Sequence, residues 1–355
     1  MTTSATMPEI ALEPLKRLRK DLSVAAKTLS DREARYLVDL YYQVQGLRIT
    51  GANQIRGQQM AEEPHAVLQW FFNNAEMLEN SIKRALDIYS DQNRVGRWSK
   101  SIVGIGPVIA SGLLAHLYPL MTPSEEYPNS FSSAGKILRF AGMDPSSNWI
   151  SREDAKKLVK KYTDPAPGTI DARTPEEVVD EIAGYLGRNP TVLRKWALQS
   201  YTKGEVLSKM TEASLSAAIA RRPWNAQLKV LCWKLGESFV KVSNNEKDFY
   251  GKLYRQKKGE YTARNERLEY REQAAQTLKE KNIGKSTEAY GHYSKGMLPP
   301  GRIHARARRY AIKIFLSHWH EIAYRVARNA EPPAPYVMVH GGHTDYIKPP
   351  NWPIE

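Results

Sequence analysis

The chain has 355 residues, 52 Lys plus Arg against 38 Asp plus Glu, one cysteine and 41% apolar residues. That length suits roughly two or three structural units, and the apolar fraction supplies a core, which excludes wholesale disorder. No apolar run is long enough for a transmembrane helix, and a lone Cys232 excludes an internal disulfide or a cysteine zinc site.

The formal charge of +14 is confined to one stretch: residues 221–330 hold 24 Lys plus Arg and 10 Asp plus Glu, whereas the remaining residues hold 28 of each sign. Such a field favours a polyanionic partner, because each Lys or Arg on a phosphate releases counterions. The N-terminal MTTSATMPEIALEPLKRLRK has no apolar stretch after a basic one, so no secretory signal is expected. The expected setting is the bacterial cytoplasm, in association with nucleic acid and not with a membrane.

Leu12, Leu15, Leu18, Leu22, Ala25 and Leu29 recur at helical steps, and Ser30 with Glu33 predicts a capping box opening a second helix. That helix carries Tyr36, Leu37, Leu40, Tyr41 and Val44. A loop is expected around Gly51 to Gly57, and a further helix over 64–90 with Val67, Leu68, Phe71, Phe72, Met77, Leu78, Ile82 and Leu86 on it. Residues 1–97 therefore read as a helical hairpin or coiled coil, the expected site of a homodimer or larger oligomer. The predicted fold class is mostly α.

Residues 101–115, SIVGIGPVIASGLLA, hold the most distinctive motif. Gly104 and Gly106 let the backbone turn tightly and approach a phosphate without interference from a Cβ. Pro107 suits a first helical turn, and the N–H groups from Val108 onward point at a bound anion. Apolar-Gly-apolar-Gly followed by Ala110 and Leu113 is the helix-hairpin-helix signature of sequence-independent contact with the DNA backbone. No strand precedes it and no third glycine is in place, so a dinucleotide-binding fold is excluded.

After the hairpin come Phe131 and then Gly135-Lys136-Ile137-Leu138-Arg139-Phe140-Ala141-Gly142-Met143-Asp144-Pro145-Ser146-Ser147. This succession, with Arg222-Pro223-Trp224-Asn225-Ala226-Gln227-Leu228-Lys229, the segment around Leu298-Pro299-Pro300 and His304-Ala305-Arg306-Ala307, carries a resemblance. It resembles the C-terminal domain of the insertion-sequence transposases known as bridge-RNA-guided recombinases, as found in phage and mobile-element proteins. The resemblance covers roughly residues 30–150 and 221–330. It implies a coiled coil ahead of the hairpin, DNA as partner, and a serine nucleophile for strand transfer at Ser146 or Ser147. The family's N-terminal RuvC-like domain, with four metal-binding carboxylates, is expected to be missing here. Asp21, Asp31, Glu33 and Asp39 lie on helical patterns and not at strand ends, so strand transfer would need metal carboxylates from a second protein. No cofactor and no metal site are expected in this chain.

Residues 150–220 form a polar, charge-neutral block with a DPAPG linker at 164–168. Within it, Thr174 and Glu177 predict a capped helix, Gly187-Arg188-Asn189-Pro190 a turn, and Val192, Leu193 and Trp196 the apolar face of a second helix. The spacing fits a helix-turn-helix that would present Thr191, Arg194 and Lys195 to a major groove; an ordinary bracing hairpin fits it as well.

The helix expected over 302–328 places Arg302, Arg306, Arg309 and Lys313 on one stripe, with Ile303, Ala307, Tyr310, Ile314 and Trp319 on much of the other side. Arg221, Arg222, Lys229, Lys257 and Lys258 add charge. Interleaved Tyr and Trp suit stacking if the partner is single-stranded or RNA, but Trp224, Trp233 and Trp319 are expected inside. His318 and His320 are two apart on a helix and cannot share a metal from one face; His340 and His343 flank Gly341-Gly342. The proline-rich tail 331–355, with Tyr336, Val337, Val339, Tyr346 and Trp352, reads as a strap on the folded body.

The expected organisation is thus a helical hairpin at 1–97 and a hairpin-containing DNA-binding domain from 98–149 plus 221–330. An inserted subdomain at 150–220 and the strap complete it. Alternatives to DNA binding alone are a serine-dependent strand-transfer enzyme and an RNA-binding or structural assembly factor.

Overall fold

A computed structural model describes residues 20–58, 66–125, 130–144, 149–164, 172–199, 206–334 and 346–354. Among these residues there are fifteen α-helices and no β-strand. They fall into two compact units, one made of Met1–Leu138 with Val230–Glu355 and the other of Arg139–Lys229.

The larger unit begins with α1 (Lys20–Ala25), α2 (Asp31–Gln58) and α3 (Ala66–Asp91). The Ser30–Glu33 capping box forms, with the Ser30 N–H donating to the Glu33 carboxylate at 2.8 Å and the Glu33 N–H to the Ser30 hydroxyl at 3.3 Å. Contacts of Asp31 with Tyr89, Gln45 with Glu79 and Gly51 with Phe72 set α2 and α3 antiparallel. The loop expected around Gly51 to Gly57 is absent: α2 runs through both glycines to Gln58. Buried Ile55 lies in this stretch, and its burial offsets the helix-weakening glycines, each worth about 1 kcal/mol. Val67, Phe71 and Leu78 share a face of α3 with Ile82, Ala85 and Tyr89, yet only the latter three are buried.

Next come α4 (Arg94–Ser101), α5 (Pro107–Leu117) and α6 (Ala134–Phe140), with a short 3-10 turn between the last two. From Ala110 to Leu117 every residue of α5 is buried, so it is the central helix of its unit. Gly112 makes this possible: a Cβ there would stand 2.6 Å from Leu231 and 3.5 Å from Val38. The Ser111 hydroxyl donates to the Leu86 carbonyl at 2.7 Å.

The smaller unit contains α7 (Arg152–Thr163), α8 (Pro175–Tyr185), α9 (Pro190–Leu198) and α10 (Glu212–Ile219). Each starts on a residue suited to the job: Ser151, the Thr174–Glu177 box, Asn189 and the Thr211–Ser214 box. Ala155, Val159, Val178, Ile182, Leu193, Ala197, Leu215 and Ile219 form its own core.

Its boundaries lie outside the 150–220 block read from composition, because the flanks pack together. The Asn225 N–H donates to the Phe140 carbonyl at 2.8 Å. Gly142, at φ +67°, lies under the Trp224 and Lys229 side chains, where a Cβ would meet both at 2.9 Å. AGMDP and RPWNAQLK, distant in sequence, are therefore one packed feature.

From α11 (Ala226–Lys241) the chain continues as α12 (Tyr250–Glu266), α13 (Arg271–Glu280), α14 (Glu288–Ser294) and α15 (Pro300–Arg328). Trp98 stacks on Phe315 at 5.6 Å between centroids, and Phe239 joins Phe315 and Tyr250 in the core. A satellite core gathers Tyr270, Ala274, Tyr293, Leu298 and Ile303. The tail segment 346–354 runs over the same unit: Trp98 Nε1–H donates to the Pro350 carbonyl at 2.8 Å, and the Asn351 amide to the Ser101 carbonyl at 2.9 Å. Tyr336, Val337 and Val339, and the histidine pair at 340 and 343, lie outside the described residues.

Candidate nucleic-acid interface

The segment of the expected hairpin forms α4, a five-residue turn and α5. Its two glycines have different surroundings. Gly104 takes φ +95°, and a Cβ there would stand 3.0 Å from Val242 Cγ2 and 3.3 Å from Ser238 Oγ. The Ser238 hydroxyl donates to the Gly104 carbonyl, so this glycine seats the turn on α11.

Gly106 is exposed, has open space above its Cα and caps α5 without a side-chain hydrogen bond. Val108, in the first turn, buries its side chain, leaving its backbone as the polar part. Gly104→Ala is expected to cost the larger unit about 1–2 kcal/mol from the left-handed backbone alone. Urea denaturation checks this.

The four cations predicted as a stripe on α15 differ in availability. Arg302 and Arg309 are exposed, and their guanidinium groups have no hydrogen-bond or ion-pair partner among the described residues. Arg306 is half-buried with its guanidinium 4.6 Å from the Tyr270 ring centroid and 5.2 Å from that of Tyr261. Lys313 is half-buried too. The stripe thus has two free cations and two that are partly covered.

On α12, which packs along α15, Tyr254 bonds to His304 Nδ1 at 2.8 Å, and Lys257 sits over Tyr310. A groove of about 530 Å³ between α12 and the end of α11 is lined by Val240, Ser243, Arg255, Lys258 and Thr262 among others. From the sequence, Lys258 is expected only to add charge. Arg255, three residues earlier and also exposed, is a cation the sequence reading passed over.

The remaining predicted contacts belong to the smaller unit. Arg194 makes a bidentate ion pair with Asp180 at 2.8 and 2.7 Å, which uses up its fork inside the helical hairpin. Thr191 and Lys195 are exposed beside it on α9. Arg222 is exposed with its guanidinium 5.4 Å from the Trp149 ring centroid, and Lys229 is half-buried with Nζ 3.7 Å from that of Trp224. Ser146 and Ser147 lie outside the described residues.

The tryptophan expectation needs one correction. Trp319 is fully buried and Trp224 half-buried, but Trp233 is 51% exposed. Its position on α11 faces away from Leu231, Cys232 and Leu235, which take the core side. His318 and His320 are both buried: Tyr250 donates to His318 Nδ1 at 2.8 Å, and His318 Nε2–H donates to the Ile347 carbonyl at 2.7 Å. Among the described residues no group of three or more His, Cys, Asp or Glu is placed to hold a metal ion, and no helix is long and apolar enough to cross a membrane.

Comparison of the chain with protein-family models, with curated proteins and with solved structures finds no match.

Proposed function

We propose that this is a DNA-binding protein of a phage or mobile element, similar in kind to a transposase or recombinase, which grips the sugar-phosphate backbone through its larger unit. The observation that carries the reading is the pair Arg302 and Arg309 on α15, exposed and with guanidinium groups unpaired among the described residues, in the stretch that holds the whole net charge. Exposed guanidinium groups without a protein partner are available to phosphates at little desolvation cost. The hairpin supports the same reading with the open, uncapped turn at Gly106. The resemblance to bridge-RNA-guided recombinases supports DNA over other polyanions.

Filter binding of duplex DNA over a salt series tests it. Affinity is expected to fall steeply and log-linearly with salt; weak binding, or binding indifferent to salt, would overturn the reading. Gly106→Asp should weaken binding by placing a carboxylate beside the phosphate. The fold should be retained, since Gly106 has space around it and aspartate suits a helix cap.

A further inference from the structure

Trp233 belongs to a face of α11 on which Val230, Trp233, Lys234, Glu237 and Lys241 recur at three- and four-residue steps. A single exposed apolar side chain is ordinary on a protein surface. The surroundings of this one set it apart. Arg308 of α15 holds its guanidinium 5.4 Å from the ring centroid and is itself fixed by an ion pair with Glu237. Gly236 brings the two helices close enough for this, since a Cβ there would stand 2.6 Å from Ile312 and 2.8 Å from Arg308. The indole is therefore braced from one side while half of it faces solvent.

The charge beside the ring is unbalanced. Lys234, Lys241 and Arg308 stand on this side of the two helices against the carboxylate of Glu237, and exposed Arg309 follows Arg308 on α15. Lys234 Nζ lies 3.6 Å from the Tyr42 ring centroid, and burial together with Lys241 holds this amine below the ordinary lysine value. Burial and then Arg309 likewise push Arg308 down. A cationic seam that repels itself is complementary to a polyanion.

A braced aromatic surface among cations suits a nucleotide, with the ring on the base and a cation on the phosphate. Bases inside a duplex are stacked on their neighbours and offer no free face. We propose that Trp233 is a stacking platform for an unpaired base of single-stranded DNA, with Arg309 on the adjoining phosphate. This rests on the DNA-binding reading above and adds that part of the bound strand is unpaired.

The test uses the full chain, Trp233→Ala and Trp233→Phe with three fluorescein-labelled probes: an oligothymidylate, a DNA duplex of equal length and the matching oligouridylate. Trp233→Ala is expected to weaken oligothymidylate binding about tenfold and leave the duplex within about twofold, and Trp233→Phe to retain most of the affinity. The fluorescence of a 2-aminopurine in a single strand should be quenched by the wild type and much less by Trp233→Ala.

Equal single-strand affinity of the wild type and both variants would overturn the stacking role while duplex binding upholds the wider reading. Tighter, Trp233-dependent binding of the oligouridylate would overturn the assignment to DNA. No binding of any probe by the wild type would remove both.

Discussion

Acidification from pH 7.5 to pH 5 should remove about 4 kcal/mol of folding stability, through His116 and His320 alone. Both are buried, and burial is the first cause that brings each down from 6.5 to about 4. Arg35 adds to the effect at His116; at His320, the Phe131 carbonyl and Glu321 oppose it, and Arg328 adds to it.

A histidine whose folded value is depressed binds more protons unfolded than folded. Its contribution is complete above about pH 6.5 and disappears as pH falls toward 4. Each group accounts for about 2 kcal/mol by pH 5 and about 3 kcal/mol by pH 4. His318 works in the same direction, held down by burial. Urea denaturation at several pH values between 7.5 and 5, where most carboxylates remain ionised, measures the loss. In His116→Gln/His320→Gln the pH dependence should flatten by most of that amount. A double variant as acid-sensitive as the wild type would show that these imidazoles are not its origin.

Replacing Arg302 and Arg309 together by glutamine should lower duplex affinity about a hundredfold at low salt. It should also reduce the slope of log affinity against log salt by about 2. Each guanidinium has a charged hydrogen bond to lose, worth about 1.5 kcal/mol or more. Glutamine retains the helix propensity and much of the length. Neither guanidinium has a hydrogen-bond or ion-pair partner among the described residues, so the thermal midpoint should be unchanged. Arg306→Gln gives the contrast: its guanidinium covers Tyr261 and Tyr270, so that variant should lose stability as well as affinity. An unchanged salt slope in the double variant would place the DNA contact elsewhere.

The elements that were legible in the sequence are those whose causes are local. Ser30 with Glu33, and Thr174 with Glu177, each satisfy helix-end N–H groups within four residues, and both boxes form as spaced. The GIGP turn is legible for the same reason: a glycine at φ +95° and a proline in the first helical turn specify it by themselves. Gly51 and Gly57 misled because the signal for a loop is also local, whereas the helix persists through a stretch where Ile55 is buried.

The candidate site divides along the same line. The spacing of Arg302, Arg306, Arg309 and Lys313 puts them on one stripe of any helix, and α15 keeps it. Which of them is free depends on Tyr261 of α12 and on Tyr270, the residue that precedes α13, which cover Arg306. Arg194 is likewise occupied by Asp180, fourteen residues away, and no pattern within α9 announces that pair.

By itself the sequence determined that the protein is helical, where several helices begin, and that all of its net charge falls in 221–330, because caps, turns and composition act over a few residues. Tertiary structure alone decided where the compact units divide, that Gly104 serves packing while Gly106 stays open, and that Trp233 faces water beside Arg308. Each of these depends on what another helix places within a few ångströms, and a close contact between residues dozens of positions apart leaves no trace in either segment read alone.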